Sequence, residues 1–239
     1  MFLFVYSDRE PVLFVPALEV ARASQIVTFP VFGYMDSENP WQKIKSSLPS
    51  TDSAKVFAEF DNLNVTKFQG LQTVFDGRFE DLTPFIQKMR LIKSQDEIEK
   101  MLIAGQFADK AVQVGFDNIS LDNTETDVIA MIEFEMKKQG VEKMSFDTMV
   151  LTGNNAANPH GIPGTNKIEN NSLLLFDLGT DMHGYASDMT RTVAVGKPDQ
   201  FKKDIYELCL EAQLTAQEFI KPGVLASEVD AAARNVIEK

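Results

Sequence analysis

The stretch from Leu173 to Thr192 constrains the chain more than any other. The apolar run Leu173–Phe176 leads straight into Asp177, a polar turn follows, and Asp188 comes eleven residues after the first aspartate. Read as a hairpin with a four-residue loop at Asp181–Gly184, the segment pairs Thr180 with Tyr185 and Asp177 with Asp188. Directly opposed residues on neighbouring strands share a face, with Cβ atoms about 5 Å apart. Two carboxylates at that spacing repel and are costly to bury together. A divalent cation removes the cost, and two-metal hydrolases hold their ions roughly 3.5–4 Å apart. The stretch is therefore half of a metal site on its residues alone.

The rest of the chain supplies a frame for such a hairpin. Its 239 residues are 44% apolar, enough for one large domain or two modest ones. A net charge of −12, with no block of Lys or Arg, argues against nucleic acid or an anionic membrane as partner. Uninterrupted apolar runs fall far short of the roughly 20 residues a spanning helix needs. Met1–Tyr6 has no basic leader and runs at once into charged residues, so it is expected to be a strand rather than a secretion signal. The single cysteine, Cys209, excludes an internal disulfide framework and suits a reducing cytoplasm. It falls in an amphipathic helical pattern, where core packing is the expected role.

Along the chain, Phe2–Tyr6 and Val12–Val15 are predicted strands. Asn39 caps a predicted short helix from Pro40, Val56–Glu59 is strand-like, and Leu82–Met89 helical. The pattern changes near Arg90. Ser94 and Glu97 form a capping box, and Ile98, Met101, Leu102, Phe107 and Val112 mark one side of a long helix. A second helix runs from about Thr124 to Gln139, with Val128, Met131, Ile132 and Met136 inward and Gly140 ending it. Strand-like Met149–Leu151 leads to an Asn-, Pro- and Gly-rich loop at 153–164. After the hairpin come a helix from about Gln200 to Ile220, a break at Lys221-Pro222-Gly223, and a last helix, capped by Ser227, that is still running at Lys239. Long helices against an antiparallel sheet make the second part α+β.

Asp177 is the stronger carboxylate, because it follows four apolar residues and a buried ionised carboxylate needs a cation or several donors. His160 lies in the long Asn-rich loop, a setting that favours a binding role. His183 falls in the hairpin turn and is read as structural. Thr190 and Thr192 share the Asp188 face by alternation, and either hydroxyl could hydrogen-bond a ligating carboxylate. Arg191 points to the other face.

The hairpin, the Asn158-Pro159-His160-Gly161 loop and the helix opening Arg90-Leu91-Ile92-Lys93-Ser94 together resemble the pita-bread metallopeptidases. Within that family the chain is most similar to the bacterial Xaa-Pro dipeptidase (prolidase) branch. Pro16–Val20 and Glu38–Trp41 resemble that branch's N-terminal segment. The resemblance implies a creatinase-like α/β domain at 1–90 and a pita-bread domain at 91–239, with its C-terminal strands absent and the start of the first domain also missing. It implies a hydrolase for small peptides with proline, using two divalent metal ions. Manganese is the expected metal, and the same oxygen ligands accept cobalt or zinc. Asp177 matches a ligand of one ion, Asp188 matches a ligand bridging both, and His160 matches a substrate contact that helps stabilise the tetrahedral intermediate. The family is commonly homodimeric.

The family completes its site with a histidine and two glutamates C-terminal to the hairpin. No histidine follows His183 here, and Glu207, Glu211, Glu218, Glu228, Asp230 and Glu238 lie on predicted helices. The implied outcome is a chain carrying two of five ligands, with little peptidase activity of its own and apolar faces left open. Two further readings keep the fold: an aminopeptidase P-like or creatinase-like hydrolase, and a non-catalytic scaffold that binds a protein partner.

Overall fold

The computed structural model describes residues 1–48 and 55–238 and divides into two compact units, Met1–Lys93 and Ser94–Lys239.

The first unit runs β1 (Phe2–Phe4), β2 (Val12–Pro16), α1 (Val20–Ile26), β3 (Val31–Tyr34), α2 (Pro40–Ser47), β4 (Val56–Ala58), α3 (Val65–Val74), β5 (Phe79–Asp81) and α4 (Thr83–Leu91). The central strand β2 pairs antiparallel with β1 and parallel with β3, and β4 pairs parallel with β5. The unbroken apolar run of β2 has a reason. Phe14 enters a cluster with Ile44, Leu71, Val74 and Phe75, while Leu13 and Val15 pack with Ala23, so both faces are covered. Asn39 caps α2, its Oδ1 accepting from the Trp41 N–H at 2.9 Å. Helices α1 and α3 and strands β3 and β5 were not anticipated from sequence.

The second unit runs α5 (Gln95–Asp117), α6 (Glu125–Lys138), β6 (Lys143–Met144), β7 (Met149–Thr152), β8 (Ser172–Leu178), β9 (Thr180–Met182), β10 (Tyr185–Ala186), β11 (Met189–Val195), α7 (Gln200–Phe219) and α8 (Ala226–Ile237). Two antiparallel three-stranded sheets result, ordered β11-β8-β7 and β10-β9-β6. Alternation along β8 sends Leu174, Phe176 and Leu178 into the core beneath α5 and α6. Each such side chain contributes about 1.5–3 kcal/mol by burial. Leu173, Leu175 and Asp177 face the other way and are half-buried.

The expected capping box forms on α5 between Ser94 and Glu97, and α6 carries a second one between Thr124 and Asp127. Glu97 does more: its Oε1 accepts from the Tyr185 hydroxyl at 2.8 Å, pinning the start of α5 to β10. The buried stripe of α5 differs from the expected one. Ala104, Ala108, Ala111, Val112 and Gly115 face the sheets, whereas Ile98 is 41% and Leu102 59% exposed. Small residues let the helix backbone approach the strands closely, so Ile98, Met101 and Leu102 are left outside, while Val112 is buried and Phe107 packs against the core as expected. On α6, Val128, Ile132 and Met136 are buried as expected, and Met131 sits at the margin.

Helices α7 and α8 pack on each other, and α7 leaves Phe201, Ile205, Leu210 and Leu214 exposed. Cys209 is exposed on α7 rather than packed in a core. Ser227 is inside the first turn of α8 and Leu225 holds the cap position. That helix ends at Ile237, and Lys239 lies outside the described residues. Among the described residues no helix is long and apolar enough to cross a membrane.

Candidate metal centre

The hairpin loop is two residues long rather than the four the sequence suggested, which moves its centre one residue later. His183 and Gly184 alone form its loop, with φ of +57° and +81°, and Tyr185 pairs with Met182. Positive φ at both central residues is the primed turn that matches strand twist. A histidine in that position hid it. The consequence is a register shifted by two residues: Asp177 stands opposite Thr190, and Met189 opposite Leu178. An even shift leaves every side chain on its expected face. Extending the same register puts Asp188 opposite Gly179, a diagonal neighbour of Asp177. Such neighbours lie about 7–8 Å apart rather than in direct apposition.

The hairpin is not one continuous ladder. Gly179 separates β8 from β9, and Ser187-Asp188 separates β10 from β11, so the chain crosses between the two sheets at this point. A polar knot holds the crossing. Ser187 Oγ donates to Ala104 O of α5 at 3.0 Å, and Thr180 Oγ1 donates to the same carbonyl at 2.8 Å. Ser145 Oγ donates to Ser187 O at 2.7 Å, and Ser145 N–H donates to Gly179 O at 2.9 Å. Gly179 is required for this closeness: a Cβ there would fall 1.9 Å from Ser187 O and 2.2 Å from Ser145 Oγ. Asp188 leaves this anchored crossing exposed to solvent.

The Thr190 hydroxyl donates to Asp177 Oδ1 at 3.1 Å. This is the threonine-to-carboxylate contact expected from alternation. Burial pushes the Asp177 carboxyl above the ordinary range, the Thr190 bond pulls it down, and the negative charge of Asp188 raises it further. A cation would relieve the repulsion between a half-buried carboxylate and a neighbour of like charge. The donor chemistry, carboxylate oxygen with a hydroxyl behind it, fits a hard divalent ion. Among the described residues no group of three or more His, Cys, Asp or Glu is arranged to hold a metal.

His160 is exposed just beyond the 3-10 turn Gly153–Ala157, and its backbone N–H donates to Asn158 Oδ1 at 3.1 Å. Asp177 and Asp188 lie close enough for the charge of one to act on the other, and among the described residues no hydrogen bond or ion pair joins the His160 ring to either. His183 Nδ1 lies 3.1 Å from Glu142 Oε1, in keeping with a structural role in the turn. Arg191 Nη1 donates to Thr190 O at 2.8 Å. One residue of this region escaped sequence reading altogether. Glu125, at the start of α6, is fully buried and bonded to the Asn-rich loop.

Residues 99–239 match the profile of metallopeptidase family M24, and residues 1–92 match the creatinase/prolidase N-terminal domain. The chain belongs to metallopeptidase family M24. An Xaa-Pro dipeptidase of Lactobacillus delbrueckii subsp. lactis is 45% identical over 242 residues, covering 98% of this chain and 66% of the relative. The prolidase of Pyrococcus furiosus superposes with a TM-score of 0.86 at 33% identity, covering 99% of this chain and 68% of that one. The prolidase of Thermococcus sibiricus gives 0.88 at 31% identity, with 99% and 65% covered. The M24 chain thus spans about two thirds of the length of the relatives it matches. Its fold is the pita-bread type behind a creatinase-like N-terminal unit, and membership of M24 implies divalent metal ions.

Proposed function

We propose that this chain carries part of the active site of an Xaa-Pro dipeptidase, with Asp177 and Asp188 as metal ligands and His160 as the substrate contact. The observation that carries the reading is the aspartate pair, held on one face at an anchored strand crossing and short of positive charge. Thr190 fixes one Asp177 oxygen and leaves the other free to bind. The polar knot at Ser187 holds the backbone next to Asp188, so the point from which that carboxylate projects is fixed before any ligand arrives. Divalent ions at such a site supply Lewis acidity that polarises a scissile carbonyl and lowers the pKa of water. The exposure of His160 on its loop is compatible with the role of hydrogen-bond donor to a bound peptide. The similarity to named Xaa-Pro dipeptidases and prolidases supports the substrate class. Oxygen ligands make manganese the metal of choice, as a dinuclear pair. The persistence of both aspartates and His160 weighs against a non-catalytic scaffold.

Two carboxylates from one hairpin hold a divalent ion weakly, since tight sites use more ligands. We therefore expect the 239-residue chain by itself to turn over Xaa-Pro dipeptides very slowly. The test is a Mn2+ titration followed by electron paramagnetic resonance, with a parallel peptidase assay. Weak binding that disappears in Asp177→Asn and Asp188→Asn is the expected result. Binding untouched by either substitution would remove the assignment, and turnover at a rate normal for a metallopeptidase would overturn the expectation of low activity.

A further inference from the structure

Glu125 is a fully buried carboxylate that the site described above does not use. Its Oε1 accepts from the Thr152 N–H at 2.8 Å and from Asn155 Nδ2 at 3.0 Å. Its Oε2 accepts from the Gly164 N–H at 2.8 Å and from Asn155 Nδ2 and Asn166 Nδ2, each at 3.1 Å. These donors come from both limbs of one loop. Thr152 ends β7 and Asn155 sits in the outgoing 3-10 turn, whereas Gly164 and Asn166 belong to the returning limb. His160 lies between them. The first turn of α6 answers in kind, with the Glu125 N–H donating to Asn166 O at 3.0 Å and the Thr126 N–H to Gly164 O at 3.2 Å.

Bonds inside the tip shape the turn around His160: Gly161 N–H to Asn158 O at 2.9 Å, and His160 N–H to Asn158 Oδ1. The joint between the limbs runs instead through Glu125, and through Asn155, whose amide also donates to Ile162 O at 3.1 Å. We propose that Glu125 is a positioning residue, whose buried carboxylate clasps both limbs of loop 153–166 and so fixes the place from which His160 is presented. The consequence for a substrate rests on the reading of His160 given above. The clasp itself does not.

Amide exchange measured by NMR on the described chain tests the clasp. Glu125→Gln keeps the volume but turns one acceptor into a donor facing other donors. Protection at Thr152 and Gly164 is expected to fall by at least about tenfold more than at Val112 in α5. The His160 ring signals should move toward their unfolded-chain positions in the same sample. Glu125→Ala leaves a pocket lined by N–H groups, so added acetate should restore protection at Gly164 where chloride at equal ionic strength does not. If the alanine variant fails to fold, the glutamine variant decides alone. An equal loss of protection at Gly164 and Val112, or none, would overturn the proposal, as would His160 signals unmoved while the loop amides open. Mn2+ binding untouched by Asp177→Asn and Asp188→Asn would count against the functional reading and leave the exchange result standing.

Discussion

Two carboxylates in the second unit are built in opposite ways. Glu125 is wholly buried and both of its oxygens are occupied by N–H donors from four groups. Asp177 is half-buried, has one hydroxyl on one oxygen, and lies near another negative charge. A buried carboxylate is tolerable when several donors satisfy it, and then it has no capacity left for a ligand. A carboxylate kept short of donors beside a like charge retains that capacity at a cost in stability. Glu125 belongs to the scaffold of the site and Asp177 to its chemistry, and burial alone would have ranked them the other way.

The sharpest way to break this contrast is to remove the saturated carboxylate. Glu125→Gln should lower the free energy of unfolding by roughly 2–4 kcal/mol, because several buried N–H groups lose an acceptor at about 1–3 kcal/mol each. Urea denaturation with an unchanged m-value would measure it. A loss under about 1 kcal/mol would mean that water or the loop itself satisfies those donors, and the distinction between the two carboxylates would fail.

The crossing that presents Asp188 comes next. Gly179→Ala forces a methyl against Ser187 O and Ser145 Oγ, and overpacking of this kind costs about 1–3 kcal/mol. The same substitution should weaken Mn2+ binding as much as Asp188→Asn does, because it displaces the backbone next to Asp188. A stable variant with undiminished binding would show that the knot does not orient the ligand. Gly184→Ala is the milder control. Its Cβ meets nothing, but φ of +81° strains any L side chain, so about 1 kcal/mol should be lost with binding intact.

What the sequence revealed of this contrast follows from how local each signal is. The capping box of α5 and the Asn39 cap of α2 lie within three residues of their partners, and both were legible. The face of Asp177 was legible too, since alternation survives an even register shift. The register itself was not, because His183 adopts the left-handed conformation that a reader assigns to glycine or asparagine. Ile98, Met101 and Leu102 pointed away from the true inner stripe of α5, which Phe107 and Val112 did mark, because an alanine face carries no weight in a hydrophobic pattern. Glu125 was invisible for a plainer reason. Its donors lie 27 to 41 residues away, and a glutamate in the first turn of a helix already has an ordinary explanation in the helix dipole.

The smallest expected effect concerns Asp177 itself, and its sign is the informative part. In chain stripped of metal with a chelator, Asp177→Asn removes the repulsion from Asp188 while keeping an oxygen that accepts from Thr190. The folded carboxyl titrates above its unfolded value, so the folded state holds its proton more tightly. The stability this group contributes is then fully present below the unfolded pKa and is lost as pH rises through the raised folded one. At neutral pH the metal-free Asn variant should be the more stable by roughly a few tenths of a kcal/mol, a small figure because both carboxylates reach solvent. The advantage should vanish in acid. It should also reverse when Mn2+ is added, since only the wild-type chain then gains from the ion. Thermal melts at two pH values, with and without metal, distinguish the cases. A wild-type chain more stable than Asp177→Asn at neutral pH without metal would show that this carboxylate is satisfied after all, and would place it with Glu125 in the scaffold.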